Sequence, residues 1–308
     1  MHYVLQLANG FLFHFIGIDK TKSWLEKLAY IMQLVPSVPK SEFSRITIIS
    51  KNMIDEADPK QNINPELRLG LPNSGWQIKN YNSLRFWSYP DTHDIIYAIS
   101  DGEDHINKII DMDKMVSLIF ILMIESGGLP LHSALIEKDG FGVALVGRGG
   151  IGKSTSSRRV PSPWRPLCDD EILVVPDQQG RYMVHPFPTW SDYIFNRNEN
   201  TWNVQQYVPL KAIFFLERDD DEINEVVPLG QGQSSIYINY SSNQVLGNCF
   251  YNKEDRIDKG TAEEHLRLRK KLFDNSCELA KSIPAFKLPI SLTRHFWEDI
   301  EKVLDKEI

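Results

Sequence analysis

The spacing of apolar positions changes along the chain, and each change predicts an element. Up to about residue 100, short apolar runs alternate with polar and proline-containing stretches, and Arg45 to Ile49 and Asp94 to Ile99 read as strands of an α+β region. Asp113 to Glu125 is apolar on nearly every side and too long for an ordinary strand. It stops at Gly127, Gly128 and Pro130, which predicts a buried helix. Leu131 to Glu137 and Gly142 to Val146 are two apolar runs joined by Lys138-Asp139-Gly140, the pattern of a β-hairpin. Beyond residue 170, Ile172 to Val175 and Ala212 to Leu216 predict further strands of one sheet. His185-Pro186-Phe187-Pro188 reads as a rigid turn, the acidic run Glu217 to Glu225 as a solvated loop, and the stretch from about Thr261 as helix interrupted by Pro284 and Pro289.

The second strand of the predicted hairpin leads directly into Gly147-Arg148-Gly149-Gly150-Ile151-Gly152-Lys153-Ser154, which satisfies G-x-x-x-x-G-K-[ST]. Average residue frequencies give this spelling by chance in roughly one chain of this length per hundred, and the preceding strand lowers that further. Glycines let the backbone curl so that successive N–H groups face phosphate oxygens, and a following helix adds its positive end. In such a loop Lys153 reaches the β- and γ-phosphates of a nucleotide, ATP, and the Ser154 hydroxyl ligates Mg²⁺. Downstream, Leu167-Cys168-Asp169-Asp170-Glu171 precedes an apolar strand, so one of Asp169 and Asp170 can hold Mg²⁺ while the other takes the proton of an acceptor hydroxyl. His132, on the strand antiparallel to the one entering the loop, is placed to meet these carboxylates. Arg148, Arg158 and Arg159 are further candidates for phosphate contact, weighed against the ordinary solvated arginine.

Composition excludes other classes. The 308 residues are 42% hydrophobic and 24% charged, as expected of a globular protein with a sizeable core. A formal net charge of −7 argues against a nucleic-acid partner, whose phosphates demand clustered Lys and Arg. Cys168, Cys249 and Cys277 are widely spaced and odd in number, which suits a reducing cytoplasm better than a disulfide framework. The longest apolar run, Met115 to Ile124, is about half of the roughly 20 residues a membrane helix needs, and the N-terminus lacks the basic region and cleavage site of a signal peptide. No membrane segment is expected.

With His132, the loop Gly147 to Ser154 and the pair Asp169-Asp170, the sequence resembles the catalytic domain of HPr kinase/phosphorylase over roughly residues 125 to 290. The resemblance implies a P-loop core akin to phosphoenolpyruvate carboxykinase, with Asp169 as general base, Asp170 as a metal-side carboxylate beside Ser154, and His132 as their partner. Pro161 and Pro163, which end the post-loop helix early, depart from that family's pattern. The stretch from Gly152-Lys153-Ser154-Thr155 through Pro163-Trp164 to Cys168-Asp169-Asp170-Glu171 is similar to the HPr-kinase-like proteins of SynChlorMet cassettes, which sit beside radical SAM enzymes and a short precursor peptide.

The expectation is therefore an α/β protein in two parts. Residues 1–110 form an α+β region that binds a substrate or partner, and residues 111–308 form a P-loop catalytic domain. Residues Gly147 through Thr155 bind ATP; Asp169, Asp170, His132 and Lys153 carry the chemistry; Ser154 and Asp170 hold Mg²⁺. The expected activity is phosphoryl transfer to a hydroxyl of a peptide, protein or small molecule, in company with peptide-maturation enzymes and in a homo-oligomer. The competing expectation is a nucleotide-gated module that binds a peptide or partner with little transfer.

Overall fold

Two sheets organise the chain in the computed structural model, which describes residues 2–38, 44–51, 75–81, 84–89, 94–100, 104–250 and 259–306. The chain divides into two compact units that are interleaved in sequence. The first takes Met1–Leu122, Trp190–Gln205 and Gly247–Arg267; the second takes the remaining segments.

In the first unit, β1 (His2–Gln6) pairs antiparallel with β2 (Leu12–Gly17). A single 3₁₀ turn and α1 (Lys22–Met32) follow, then β3 (Val35–Pro36), β4 (Ser44–Ser50), β5 (Gln77–Tyr81), β6 (Leu84–Ser88) and β7 (Ile95–Ile99). The strand order is β3-β1-β2-β4-β7-β6-β5, and β2, β4 and β7 run parallel. Thr21, at the start of α1, donates its hydroxyl to the Ile48 carbonyl of β4 at 2.9 Å. After β7 comes α2 (His105–Glu125), the buried apolar helix the pattern predicts, begun one turn or more earlier than its apolar stretch. The Asp111 carboxylate accepts the Ser100 N–H at 2.9 Å, and Trp24 Nε1 donates to the Lys108 carbonyl at 3.2 Å, so α2 is tied to both β7 and α1.

The second unit is built around β8 (Leu129–Lys138) and β9 (Phe141–Val146), the expected hairpin. Its turn puts Asp139 and Gly140 at φ 51° and 83°, the left-handed pair that matches strand twist. The rest follows as α3 (Lys153–Arg159), β10 (Arg165–Cys168), β11 (Glu171–Pro176), β12 (Tyr182–Phe187), α4 (Trp190–Ile194, in the first unit), β13 (Val208–Arg218), β14 (Val227–Pro228), α5 (Gln231–Phe250, in the first unit from Gly247), α6 (Lys259–Ser282, in the first unit up to Arg267), β15 (Ala285–Ile290) and α7 (Phe296–Leu304). The sheet runs β10-β8-β11-β12-β13-β15-β14, with β9 also paired to β8 and β13. β9, β13 and β15 are parallel neighbours. Period-two side chains from four strands fill one face: Ala134 and Ile136, Val143 and Leu145, Phe214 and Leu216, Phe286 and Leu288. Phe296, Ile300 and Leu304 of α7, spaced four apart, cover them. Each fully buried Phe or Leu of that layer contributes roughly 1.5–3 kcal/mol. On the other face, Phe215 meets Tyr237 of α5 edge-on at 5.2 Å.

Three expectations are corrected. Pro289 does not interrupt a helix; it lies in β15, opposite Glu217 of β13. His185, Pro186 and Phe187 are strand, not turn, with Pro186 opposite Ile172. Both prolines are tolerated because a neighbouring strand has already stopped: β14 reaches only Phe286 and Lys287, and β13 meets β12 only at Met183 and Val184. The acidic run is not wholly solvated, since Glu217 and Arg218 end β13 and Asp219 is buried, accepting both the N–H and the side-chain amide of Asn224. No helix among the described residues is long and apolar enough to cross a membrane, and Cys168, Cys249 and Cys277 form no disulfide.

Candidate functional site

β8 changes partners in its middle. Leu129 to His132 pair with β11, whereas Ser133 to Lys138 pair with β9. The change occurs where β9 ends, Val146 lying opposite Ser133, and where β11 begins, Glu171 lying opposite His132. The loop after β9 and the acidic pair before β11 are thereby brought to the same point from opposite directions. The Ser133 N–H donates to the Asp170 carbonyl at 2.8 Å and closes the junction.

Gly147 follows β9 because a Cβ there would lie 2.7 Å from Ile151 Cγ2, closer than any real contact. Gly152 takes φ 117°, a value that L side chains rarely adopt, and α3 starts at the next residue. Arg148, Gly149 and Gly150 are exposed at the loop tip, Ile151 packs on the core, and Ser154 is half-buried in the first turn of α3 with Thr155 outward.

Lys153 points inward and is only 6% exposed. Its Nζ donates to the carbonyls of Gly147 at 2.9 Å and Arg148 at 3.4 Å and lies 2.8 Å from His132 Nε2. Burial disfavours the ammonium and pulls its pKa from 10.5 to about 8, against the opposing attraction of Asp170 and Asp169. His132 Nε2 also lies 3.1 Å from Asp170 Oδ1, while Nδ1 lies 3.3 Å from Gln244 Oε1. One ring nitrogen cannot satisfy both neighbours: as a lone pair it accepts from Lys153, and as an N–H it donates to Asp170. The trio therefore has two alternative hydrogen-bond arrangements, set by where the imidazole proton lies.

Asp169 is held separately. Arg158 Nη2 donates to its Oδ2 at 2.8 Å, and the Thr189 hydroxyl donates to Oδ1. Of the arginines, Arg158 is thus beside the acidic pair, whereas Arg159 is engaged by the carbonyls of Ser291 and Arg294 at 2.7 and 3.2 Å.

Three residues outside the expected set complete the cluster: Thr189 on Asp169, and Ser241 and Gln244 of α5 on His132, Ser241 Oγ accepting the His132 N–H at 3.0 Å. The sequence offers for the α5 pair only a stretch rich in Ser, Asn and Gln, and the structure shows that Ser234, Ser235, Ser241 and Ser242 of it are buried, unusual polar content for a covered face.

A family model described as SynChlorMet cassette protein ScmC matches residues 95–305, which include every residue of this cluster. No curated protein matches the chain significantly.

Proposed function

Because the chain belongs to the SynChlorMet cassette protein ScmC family, and its loop of Walker A spelling ends on a lysine buried against a histidine and an acidic pair, we propose that it is an ATP- and Mg²⁺-dependent kinase. Its acceptor is a hydroxyl, that of a serine or threonine of a peptide or protein or of a small molecule, within a ribosomal-peptide maturation pathway. The observation that carries the reading is the meeting of Lys153, His132 and Asp170 at the end of the strand that enters the loop. It is this arrangement, more than the loop, that gives the likeness to HPr kinases its chemical content.

In this reading the N–H groups of Gly147 to Thr155 cradle phosphates, and Lys153 exchanges the Gly147 and Arg148 carbonyls for phosphate oxygens. His132 Nε2 is then left to Asp170 alone and, carrying a proton there, fixes that carboxylate. Ser154 and Asp170 offer the hydroxyl and carboxylate oxygens that Mg²⁺ prefers, and would hold it. Magnesium would supply charge neutralisation at the phosphate oxygens. Asp169, oriented by Arg158 and Thr189, takes the proton from the acceptor hydroxyl.

Transfer of label from γ-labelled ATP with Mg²⁺ to peptides encoded beside the gene tests the reading. Label on an acceptor is the expected result. Tight ATP binding with no transfer to any acceptor would instead favour a nucleotide-gated binding module.

A pH effect also follows. Free Lys153 titrates near 8, and phosphate oxygens in contact would raise that value. Between about pH 8 and 9.5 nucleotide binding should therefore take up a proton, and affinity should fall as pH rises. Calorimetry in buffers of different ionisation enthalpy would show the uptake, and its absence in the wild type would remove Lys153 from the phosphates.

A further inference from the structure

The first unit holds a cavity of about 390 Å³ with no assigned role. That is within the range of small-molecule sites. Its walls are Lys20, Thr21, Ser23, Trp24 and Lys27 around the start of α1, Ser50 at the end of β4, Ile99 and Ser100 at the end of β7, and His105, Lys108, Ile109 and Met112 of α2. β2, β4 and β7 are parallel, so this is the carboxyl edge of a parallel sheet, where α/β proteins place their ligands.

Among the described residues the chemistry of the lining is one-sided: it contains Lys20, Lys27, Lys108 and His105, with no Asp or Glu. Lys27 is directed to aromatic faces, 5.6 Å from the ring centre of Tyr30 and 5.4 Å from that of Tyr193. Lys20 and Lys108 are exposed and, among the described residues, make no ion pair or side-chain hydrogen bond. Lys51 stands behind the wall, donating to Ser100 Oγ at 3.2 Å. Two carboxylates of the α2 segment are hydrogen-bonded to backbone: Asp111 accepts the Ser100 N–H, and Asp104 accepts the Asn107 N–H at the start of the helix. The apolar remainder of the wall is Trp24, Ile99, Ile109 and Met112.

We propose that this cavity binds a small anionic molecule, one whose phosphate or carboxylate group meets Lys20 and Lys108 and whose apolar part lies against Trp24 and Met112. The inference is independent of the kinase reading, since none of its residues belongs to the P-loop cluster. It assigns the first unit a ligand site of its own.

Phenyl phosphate and benzoate are suitable probes, one for each anion, with benzyl alcohol as the uncharged control. Titration calorimetry at constant ionic strength would use the full chain carrying Lys153→Ala, so that the P-loop lysine makes no contribution. Saturable binding of at least one anionic probe is expected, with none for benzyl alcohol. Adding Lys20→Ala and Lys108→Ala should weaken that binding about tenfold or more per lysine. Lys108→Arg should retain it. Both lysines are exposed, so thermal unfolding should be unchanged, and this is the check that the variant folds. Whichever anion binds more tightly identifies the headgroup. Absence of saturable binding of either anion at millimolar concentration, or equal affinity with and without the two lysines, would overturn the proposal.

Discussion

Lys153→Met is expected to make the protein more stable and, in the same step, inactive. The ammonium is buried and its pKa is held down to about 8, so below that pH the fold bears the cost of a desolvated charge. Between about 8 and 10.5 the unfolded chain binds more protons than the folded one at this position, so the contribution of Lys153 to stability improves as pH rises. Methionine keeps the length and apolar stem and removes the charge. The gain in unfolding free energy should be about 1–3 kcal/mol at pH 7 and should shrink towards zero by about pH 10.5. It stays below the full desolvation cost because the carbonyls of Gly147 and Arg148 lose their donor. Phosphoryl transfer should fall by roughly 10²–10³-fold or more, the usual loss when a charge-stabilising donor is removed from a transition state. Denaturant unfolding across pH 7 to 10 and label transfer are the two measurements. A variant that is less stable at pH 7 than at pH 10, relative to wild type, would reverse the sign and remove the burial argument.

The second large effect concerns the acidic pair. Asp169→Asn should reduce label transfer by about 10²–10⁴-fold with little change in ATP affinity, as expected for loss of a general base. Folding should scarcely suffer, because the partner Arg158 is 61% exposed and such ion pairs contribute little. Asp170→Asn should lose transfer too, but with a different signature: the Mg²⁺ concentration needed for half-maximal rate should rise. Retention of near-wild-type transfer in both variants, with ATP still bound, would leave the site without a base and favour the binding-module alternative.

Much of this cluster was legible because its members are announced by local signals. The β8–β9 hairpin is carried by Asp139-Gly140 and flanking apolar runs, and the loop is carried by glycines whose backbone roles are fixed by spacing. His132 could be matched to the acidic pair because a strand pairing, once registered, places everything opposite it. The missing parts depend on contacts distant in sequence. Gln244 reaches His132 across more than a hundred residues, and nothing in the polar helix α5 records which of its faces is turned inward. Pro186 and Pro289 misled for the opposite reason: a local rule against proline in a sheet holds only where both neighbouring strands are present, and the lengths of β13 and β14 are not written near either residue. Thr189 combines both difficulties, standing just beyond a strand read as a turn.

The interleaving of the two units bears on how the chain is made. A ribosome delivers residues in order, yet the first unit is completed by pieces that emerge late. The Trp202 N–H donates to the Ile31 carbonyl at 2.8 Å, closing over the end of α1, and His265 of α6 meets the Asn80 carbonyl at 3.0 Å. Between the synthesis of Ile31 and of these partners, the whole hairpin, the glycine-rich loop and the acidic pair have been made. The nascent N-terminal sheet must therefore wait with part of its apolar surface uncovered while the second unit's strands are being produced. For the same reason no single cut separates the units: a fragment stopped at Leu122 lacks Trp202 and His265, and one begun at Met123 carries segments whose packing partners have been removed.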